Sequence, residues 1–297
     1  MIYIASTASP DRFDKVYILL NSLKHTKKPE TDIVYYIFTE PNAIQSLYSY
    51  IGELRSADFL VAVLDISWFN EWIHAPQKGA YHYARCLFSE YFPTSVEKIL
   101  WLDIDMVFYH PGIEDLWEKD ITDYLAAGVI DPTWQYCPPY HYEIANTKTD
   151  QYINTGVLLM NLDKIRRDGR DQELEYWLQH WDENVLACNV YDQTLLNYLW
   201  KGQIKLLNTK FNNSLLASLG EAKTSYTVYM NSQGYIDPLD SLQHAVILHF
   251  CGSLKPWEPM CSYMDESSYP YKKEAIELWN KLSRKYRKPY NNSTISV

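Results

Sequence analysis

The stretch KILWLDIDMVFYH, residues 98–110, carries two aspartates inside an otherwise apolar run. Ile99, Leu100, Trp101 and Leu102 lead in, and Met106, Val107 and Phe108 lead out. A short apolar run bounded by charged or turn residues reads as a buried strand. A carboxylate buried there carries a heavy desolvation cost unless it is paired, hydrogen-bonded or metal-bound. Asp103 and Asp105 therefore need a reason. Residues two apart in a strand share a face, so both carboxylates reach one ligand. Hard divalent cations select carboxylates, and a bound cation removes the burial problem. The bland alternative is a pair held by backbone amides or an arginine. The Pro111-Gly112 turn that follows favours the metal.

Outward from that stretch, strand-like and helix-like segments alternate. IYIA (2–5), DIVYYIF (32–38), FLVAVLDI (59–66), LAAGVID (125–131), INTGVLLMNL (153–162) and AVILHF (245–250) read as strands. Helical spacing marks 11–26, 42–54, 79–92, 171–181 and 192–202. Such alternation implies crossovers and a mostly parallel α/β sheet covered on both faces. Several strand candidates finish on an ionisable residue: Asp65, Asp103, Asp131 and His249. Ligands of open α/β sheets collect at the carboxyl ends of the strands, so these four are expected at one rim.

Composition narrows the class. The 297 residues are 47% hydrophobic, enough for a full core, and carry a net charge of −10. That balance argues against a nucleic-acid surface, which needs a basic face. The 26 Tyr and 10 Trp suit a partly wet binding groove or, equally, a Tyr-rich core. Five cysteines without a C-x-x-C fit reduced thiols rather than a disulfide framework or a zinc site. The N-terminus lacks a basic n-region, and no apolar run approaches the roughly 20 residues that span a bilayer. The expectation is a soluble, cytoplasmic protein. Residues 1–260 read as the main domain and 261–297 as a tail whose 272–288 stretch is basic. Ala275, Ile276, Leu278, Trp279 and Leu282 line one side of a helix there. That helix either docks on the core, the preferred reading, or touches anionic lipid at the inner membrane face.

Three further elements carry chemistry. In AVILHFCGSLKPW, His249 precedes a small-residue turn with Gly252 and Lys255. Imidazole with two carboxylates suits Mn²⁺ better than Mg²⁺. Gly252 admits backbone to an anion, and Lys255 brings a phosphate-directed charge. Asn154 lies just before Gly156, which marks either close approach to a ligand or a bulge. Asp192 and Gln193 open a helix, where Asp192 as a plain N-cap is the simpler reading. Arg85 reaches a phosphate, ties down an aspartate, or is solvated.

ILWLDIDMVF, INTGVLLMNLDKIR, DQTLLNYLWKGQIKLLNTKFN and LHFCGSLKPW occur in the order and approximate spacing of family 8 glycosyltransferases. The resemblance extends from YIAST to about Trp257. It implies a GT-A fold, a UDP-hexose donor, Mn²⁺ with Mg²⁺ as the alternative, and transfer with retention to a saccharide acceptor. Asp103, Asp105 and His249 match the metal ligands. Arg85, Asn154 and Asp131 match sugar or phosphate contacts, and Gly252 and Lys255 match diphosphate contacts. Asp192 and Gln193 match the pair beside the reacting sugar, and Ala5 lies where the first strand meets uracil. Two positions depart from bacterial relatives: Thr7 replaces a uridine-binding Asp, and Thr194 replaces a second Asp after Gln193. A carboxylate nucleophile at 194 is therefore absent, which favours front-face displacement. Trp134, Tyr136 and Tyr140, in an aromatic, proline-rich loop, are acceptor-stacking candidates. The rival readings are a non-catalytic sugar-nucleotide or glycan-binding module and a haloacid-dehalogenase-type phosphatase with Asp103 as nucleophile.

Overall fold

The computed structural model describes residues 1–71, 79–131, 151–179, 191–214, 230–236, 238–252, 255–258 and 272–289. Trp134, Tyr136 and Tyr140 lie outside these residues. The main sheet has seven strands: β1 (Ile2–Thr7), β2 (Ile33–Thr39), β3 (Phe59–Asp65), β4 (Lys98–Leu102), β6 (Ala126–Ile130), β7 (Ile153–Asn161) and β8 (Ile204–Leu206). Their order is β3-β2-β1-β4-β7-β6-β8, and β7 alone runs antiparallel to its neighbours. A second sheet pairs β5 (Met106–Phe108) with β9 (Ile247–His249), antiparallel.

Side chains alternate across the main sheet as strand geometry requires. In β4, Leu100 and Leu102 join one core with α1 (Phe13–Thr26), while Ile99 and Trp101 join the other. In β7, Val157 and Leu159 face the first core, and Leu158 and Met160 face the second. Both faces are thus covered, as the apolar runs of parallel strands demand.

The central stretch is not one strand. β4 ends at Leu102, and Asp103–Asp105 bridges to the second sheet. The Asp103 amide donates to Gly156 O (2.8 Å), and Asp105 O accepts from the Phe250 amide (2.9 Å). The two ends of the bridge are thus tied to different strands, Asp103 to β7 and Asp105 to the residue after β9, which carries the chain from one sheet to the other. The carboxylates sit in the gap between sheets rather than inside a strand.

The expected helix over 79–92 is also divided. Helices Gly79–Tyr83 and Phe88–Tyr91 flank a 3₁₀ turn, Ala84–Leu87. Residues 83–89 are all buried, so no solvent-facing stripe sustains an amphipathic α-helix there. The C-terminal helix Lys272–Tyr286 places Ala275, Trp279, Leu282 and Tyr286 inward. Trp279, Leu282 and Tyr286 pack with Ile18 of α1 and with Val107 and Leu248 of the small sheet. Ile276 and Leu278 are half-buried. The helix therefore spends its apolar face on the core. Among the described residues, no helix is long and apolar enough to cross a membrane.

Candidate functional site

The two-sheet junction brings Asp103, Asp105 and His249 together. One ligand atom from each lies within 4.8 Å of the others. His249 Nε2 is 3.2 Å from Asp105 Oδ1 and 3.8 Å from Asp103 Oδ2. Each residue has its other polar atom held by a neighbour. Asp103 Oδ1 accepts from Trp101 Nε1 (2.8 Å) and Arg85 Nη2 (3.1 Å). Asp105 Oδ2 is ion-paired with Lys255, and His249 Nδ1 is 2.9 Å from Asn212 Oδ1. Asp105 Oδ1 and His249 Nε2 are left buried without a hydrogen-bond partner. Unsatisfied buried polar atoms are costly, so two of them facing one point fit the ligand set of a divalent cation. Two carboxylates and an imidazole suit Mn²⁺ chemistry.

Two fixed cations flank the cluster, Arg85 at Asp103 and Lys255 at Asp105. Burial alone would raise the Asp105 carboxyl, but its charged and hydrogen-bonding neighbours, Lys255 foremost, hold it well below the usual carboxylate range. Burial likewise opposes the Lys255 charge, and Asp105 restores it, so its ammonium is held more firmly than usual. Lys255 also donates to Phe250 O (2.9 Å). Gly252, at φ +95°, forms the turn between β9 and Lys255 in a conformation that favours glycine.

Arg85 is the hub of a second group. Its side chain is buried, with the guanidinium carbon 4.0 Å from the Trp101 ring centroid. Nη1 donates to Thr155 O (2.6 Å), and Nε lies 3.2 Å from Asp192 Oδ2. The helix Tyr191–Leu199 presents Asp192 and Gln193 from its first turn. Asp192 lies inside that helix rather than at its N-cap, and it also accepts from Thr155 Oγ1 (3.2 Å). Gln193 is fixed at both ends: Nε2 donates to Asp131 Oδ2 (2.7 Å), and Oε1 accepts from the Thr155 amide (3.2 Å). Asn154 Nδ2 approaches the same Asp131 oxygen at 3.4 Å. Thr194 is fully buried against the Tyr152 hydroxyl, 3.0 Å away.

Gly156 lies in a bulge of β7, as one of its two sequence readings has it: the β6–β7 register jumps from Gly128 opposite Leu158 to Val129 opposite Asn154. A Cβ there would lie 2.3 Å from His249 Cε1, so the close approach is made by the imidazole. Asp65 does not join the rim group. It is exposed, and its carboxylate accepts from the Ser67 amide (2.7 Å).

Beside the acidic pair lies a cleft of about 270 Å³ lined by Thr7, Ser9, Arg12, Lys15, Tyr81, His82, Arg85, Trp101, Asp103, Ile104, Asp105, Lys255 and Trp257. Four of these are cations, which suits a polyanionic ligand. Thr7 Oγ1 donates to Tyr81 O (2.7 Å), which leaves the hydroxyl oxygen as an acceptor. Ala5 is fully buried in the second core and does not line the cleft. Arg12, Lys15, Tyr81 and Asn212 escaped sequence reasoning because no local pattern sets them apart.

Asp192 supplies a pH prediction. Burial lifts its carboxyl from the ordinary 3.8 to about 6, with Arg85 opposing and Asp103 adding to the rise. A raised folded value favours folding below about pH 4, and that contribution is lost as pH climbs through about 6. Relative to Asp192→Asn, the wild type is expected to lose about 3 kcal/mol across that window. Urea titrations of both proteins at several pH values measure it, and a pH-independent difference would contradict the burial argument.

Comparison with known proteins agrees with this geometry. Residues 15–261 match the family model of glycosyl transferase family 8. Lipopolysaccharide 1,2-glucosyltransferase of Escherichia coli is 26% identical over 185 residues, which cover 61% of this chain and 50% of that protein. General stress protein A of Bacillus subtilis (strain 168) is 25% identical over 194 residues, covering 63% and 62%. The match thus spans about half to three-fifths of these relatives' length. In fold, the galactosyltransferase LgtC, solved with donor and acceptor sugar analogs, aligns at TM-score 0.67 and 21% identity over 98% of both chains. The WbbM bifunctional glycosyltransferase aligns at TM-score 0.72 and 16% identity over 96% of this chain and 51% of that one. The mostly parallel sheet flanked by helices is thus GT-A-like. With the family model matching most of its length, the chain belongs to glycosyl transferase family 8.

Proposed function

We propose that the chain is a retaining hexosyltransferase that moves galactose or glucose from a UDP-sugar to a saccharide acceptor on a glycan, glycolipid or glycoprotein. The observation that carries this reading is the convergence of Asp103 Oδ2, Asp105 Oδ1 and His249 Nε2 beside a cationic cleft. Those three residues would hold Mn²⁺, with Mg²⁺ as the alternative, and a cation there would supply positive charge against the negative charge that develops on the diphosphate leaving group.

The chain's own residues do the rest. Lys255 adds positive charge at the diphosphate end, with Gly252 giving backbone access. Thr7, which lines the cleft, borders the base. Arg85 orients Asp103 and Asp192 through one planar fork. Gln193 cannot attack as a carboxylate would. Its side chain is clamped between Asp131 and the Thr155 amide, so it stabilises an oxocarbenium-like sugar rather than forming an adduct. In front-face displacement the bond from the anomeric carbon to the phosphate oxygen breaks as the bond to the acceptor oxygen forms. The departing phosphate oxygen takes the acceptor's proton. Trp134, Tyr136 and Tyr140 are proposed to stack on the acceptor.

UDP release from a panel of nucleotide sugars, with Mn²⁺ and then chelator, tests the reading. Metal-dependent release from one donor supports it, whereas metal-dependent UDP binding without turnover on any donor or acceptor would favour a binding module. Phosphate release would favour the phosphatase alternative, which the family match leaves without support. Gln193→Ala is expected to keep measurable turnover, reduced about 10²-fold as for loss of one stabilising group. A glycosyl-enzyme adduct trapped in mass spectrometry would overturn front-face displacement.

A further inference from the structure

We infer that Asn212 is a positioning residue that sets the tautomer of His249 and so aims Nε2 at the metal position. The inference rests on the metal reading above. It follows from a chain of hydrogen bonds whose first donor is unambiguous.

The Gly156 backbone N–H donates to Asn154 Oδ1 (3.0 Å). A backbone amide can only donate, so the Asn154 atom facing it is the carbonyl oxygen. Asn212 meets that same oxygen at 2.9 Å and must present its amide nitrogen there. Its own oxygen then faces His249 Nδ1 at 2.9 Å. An amide oxygen only accepts, so His249 Nδ1 carries the proton. A neutral imidazole protonated at Nδ1 has its lone pair on Nε2. That atom is the buried one without a partner, 3.2 Å from Asp105 Oδ1. One backbone N–H therefore decides, through two side-chain amides, which imidazole nitrogen faces the gap.

Burial makes the arrangement rigid. Asn212 and His249 are each 2% exposed, so water does not compete for their polar atoms. The 3₁₀ turn Thr209–Phe211 delivers Asn212 to the small sheet, where the next residue, Asn213, bridges to Leu248 beside His249. Asn212 opens an N-x-S sequon, but its burial removes it from any modifying enzyme. Outer partners of this kind fix ring orientation and raise ligand basicity, and their loss weakens metal binding about 10–100-fold.

The test uses the full chain. Nitrogen-15 NMR of the metal-free wild type, recorded across a pH series, reads the tautomer directly. Protonated Nδ1 and bare Nε2 are expected for His249, and a proton on Nε2 would overturn the inference without recourse to any variant. Mn²⁺ affinity is then measured by electron paramagnetic resonance for wild type, Asn212→Ala and Asn212→Asp. Asn212→Ala is expected to bind about 10–100-fold more weakly while folded. Asn212→Asp keeps an acceptor for Nδ1–H but sets its other oxygen against Asn154 Oδ1, so it is expected to restore part of that loss. Equal affinity in wild type and a folded Asn212→Ala would sink this inference alone. No Mn²⁺ binding by the wild type would sink the proposed function as well.

Discussion

Asp105→Asn is expected to abolish metal-dependent turnover and to weaken Mn²⁺ binding at least about 100-fold, more than loss of an outer partner. Two effects combine. The substitution removes a charged ligand whose Oδ1 faces His249 Nε2, and it strips Lys255 of its counter-ion. Both members of that ion pair are mostly buried, with side chains 16% and 18% exposed. Leaving a lone ammonium there is expected to cost the fold about 2–3 kcal/mol. Asp103→Asn separates the two effects. Its remaining oxygen still accepts from Trp101 and Arg85, so stability should change little while Mn²⁺ binding is lost. Urea denaturation and Mn²⁺ titration of both variants and of the double variant check this. Wild-type Mn²⁺ affinity in the double variant would remove the metal reading altogether.

Gly156→Ala is expected to displace His249 and weaken Mn²⁺ binding about as far. The new methyl would sit 2.3 Å from His249 Cε1, 2.9 Å from Nδ1 and 3.0 Å from Asn154 Oδ1. No flexible side-chain end is available to yield, because the ring is buried and tied to Asn212. Overpacking of this kind costs about 1–3 kcal/mol. Backbone strain plays no part, since Gly156 is absent from the positive-φ glycines. A calorimetric scan together with Mn²⁺ titration reads both consequences. Wild-type stability and affinity in the variant would mean that the imidazole sits elsewhere in solution.

Much of this architecture is legible in the chain. Six of the seven main strands and α1 follow from apolar runs and helical spacing, and these signals are local; β8, only the three residues Ile204–Leu206, is too short to show one. The metal candidates are legible too, because a carboxylate in an apolar run stands out against its immediate neighbours. The break after Leu102 is not, since both halves of 98–110 are equally apolar and nothing local marks a change of sheet. Gly156 shows the same limit. Its smallness is visible in the sequence, but the neighbour that demands it, His249, is remote in the chain.

By itself, then, the sequence determined an α/β protein with two aspartates set in an apolar run, a histidine and a Gly-x-x-Lys turn poised for a metal and an anion. Only the tertiary structure decided that Asp103 and Asp105 lie between two sheets, that Asp65 stands outside the group, and that Arg85 is buried across Asp103 and Asp192. It alone also recruited Asn212, whose partners His249 and Asn154 are 37 and 58 residues away. The physical reason is the range of the signal. Burial and periodicity are written into neighbouring residues, whereas a hydrogen bond between distant side chains leaves no pattern until the chain has folded.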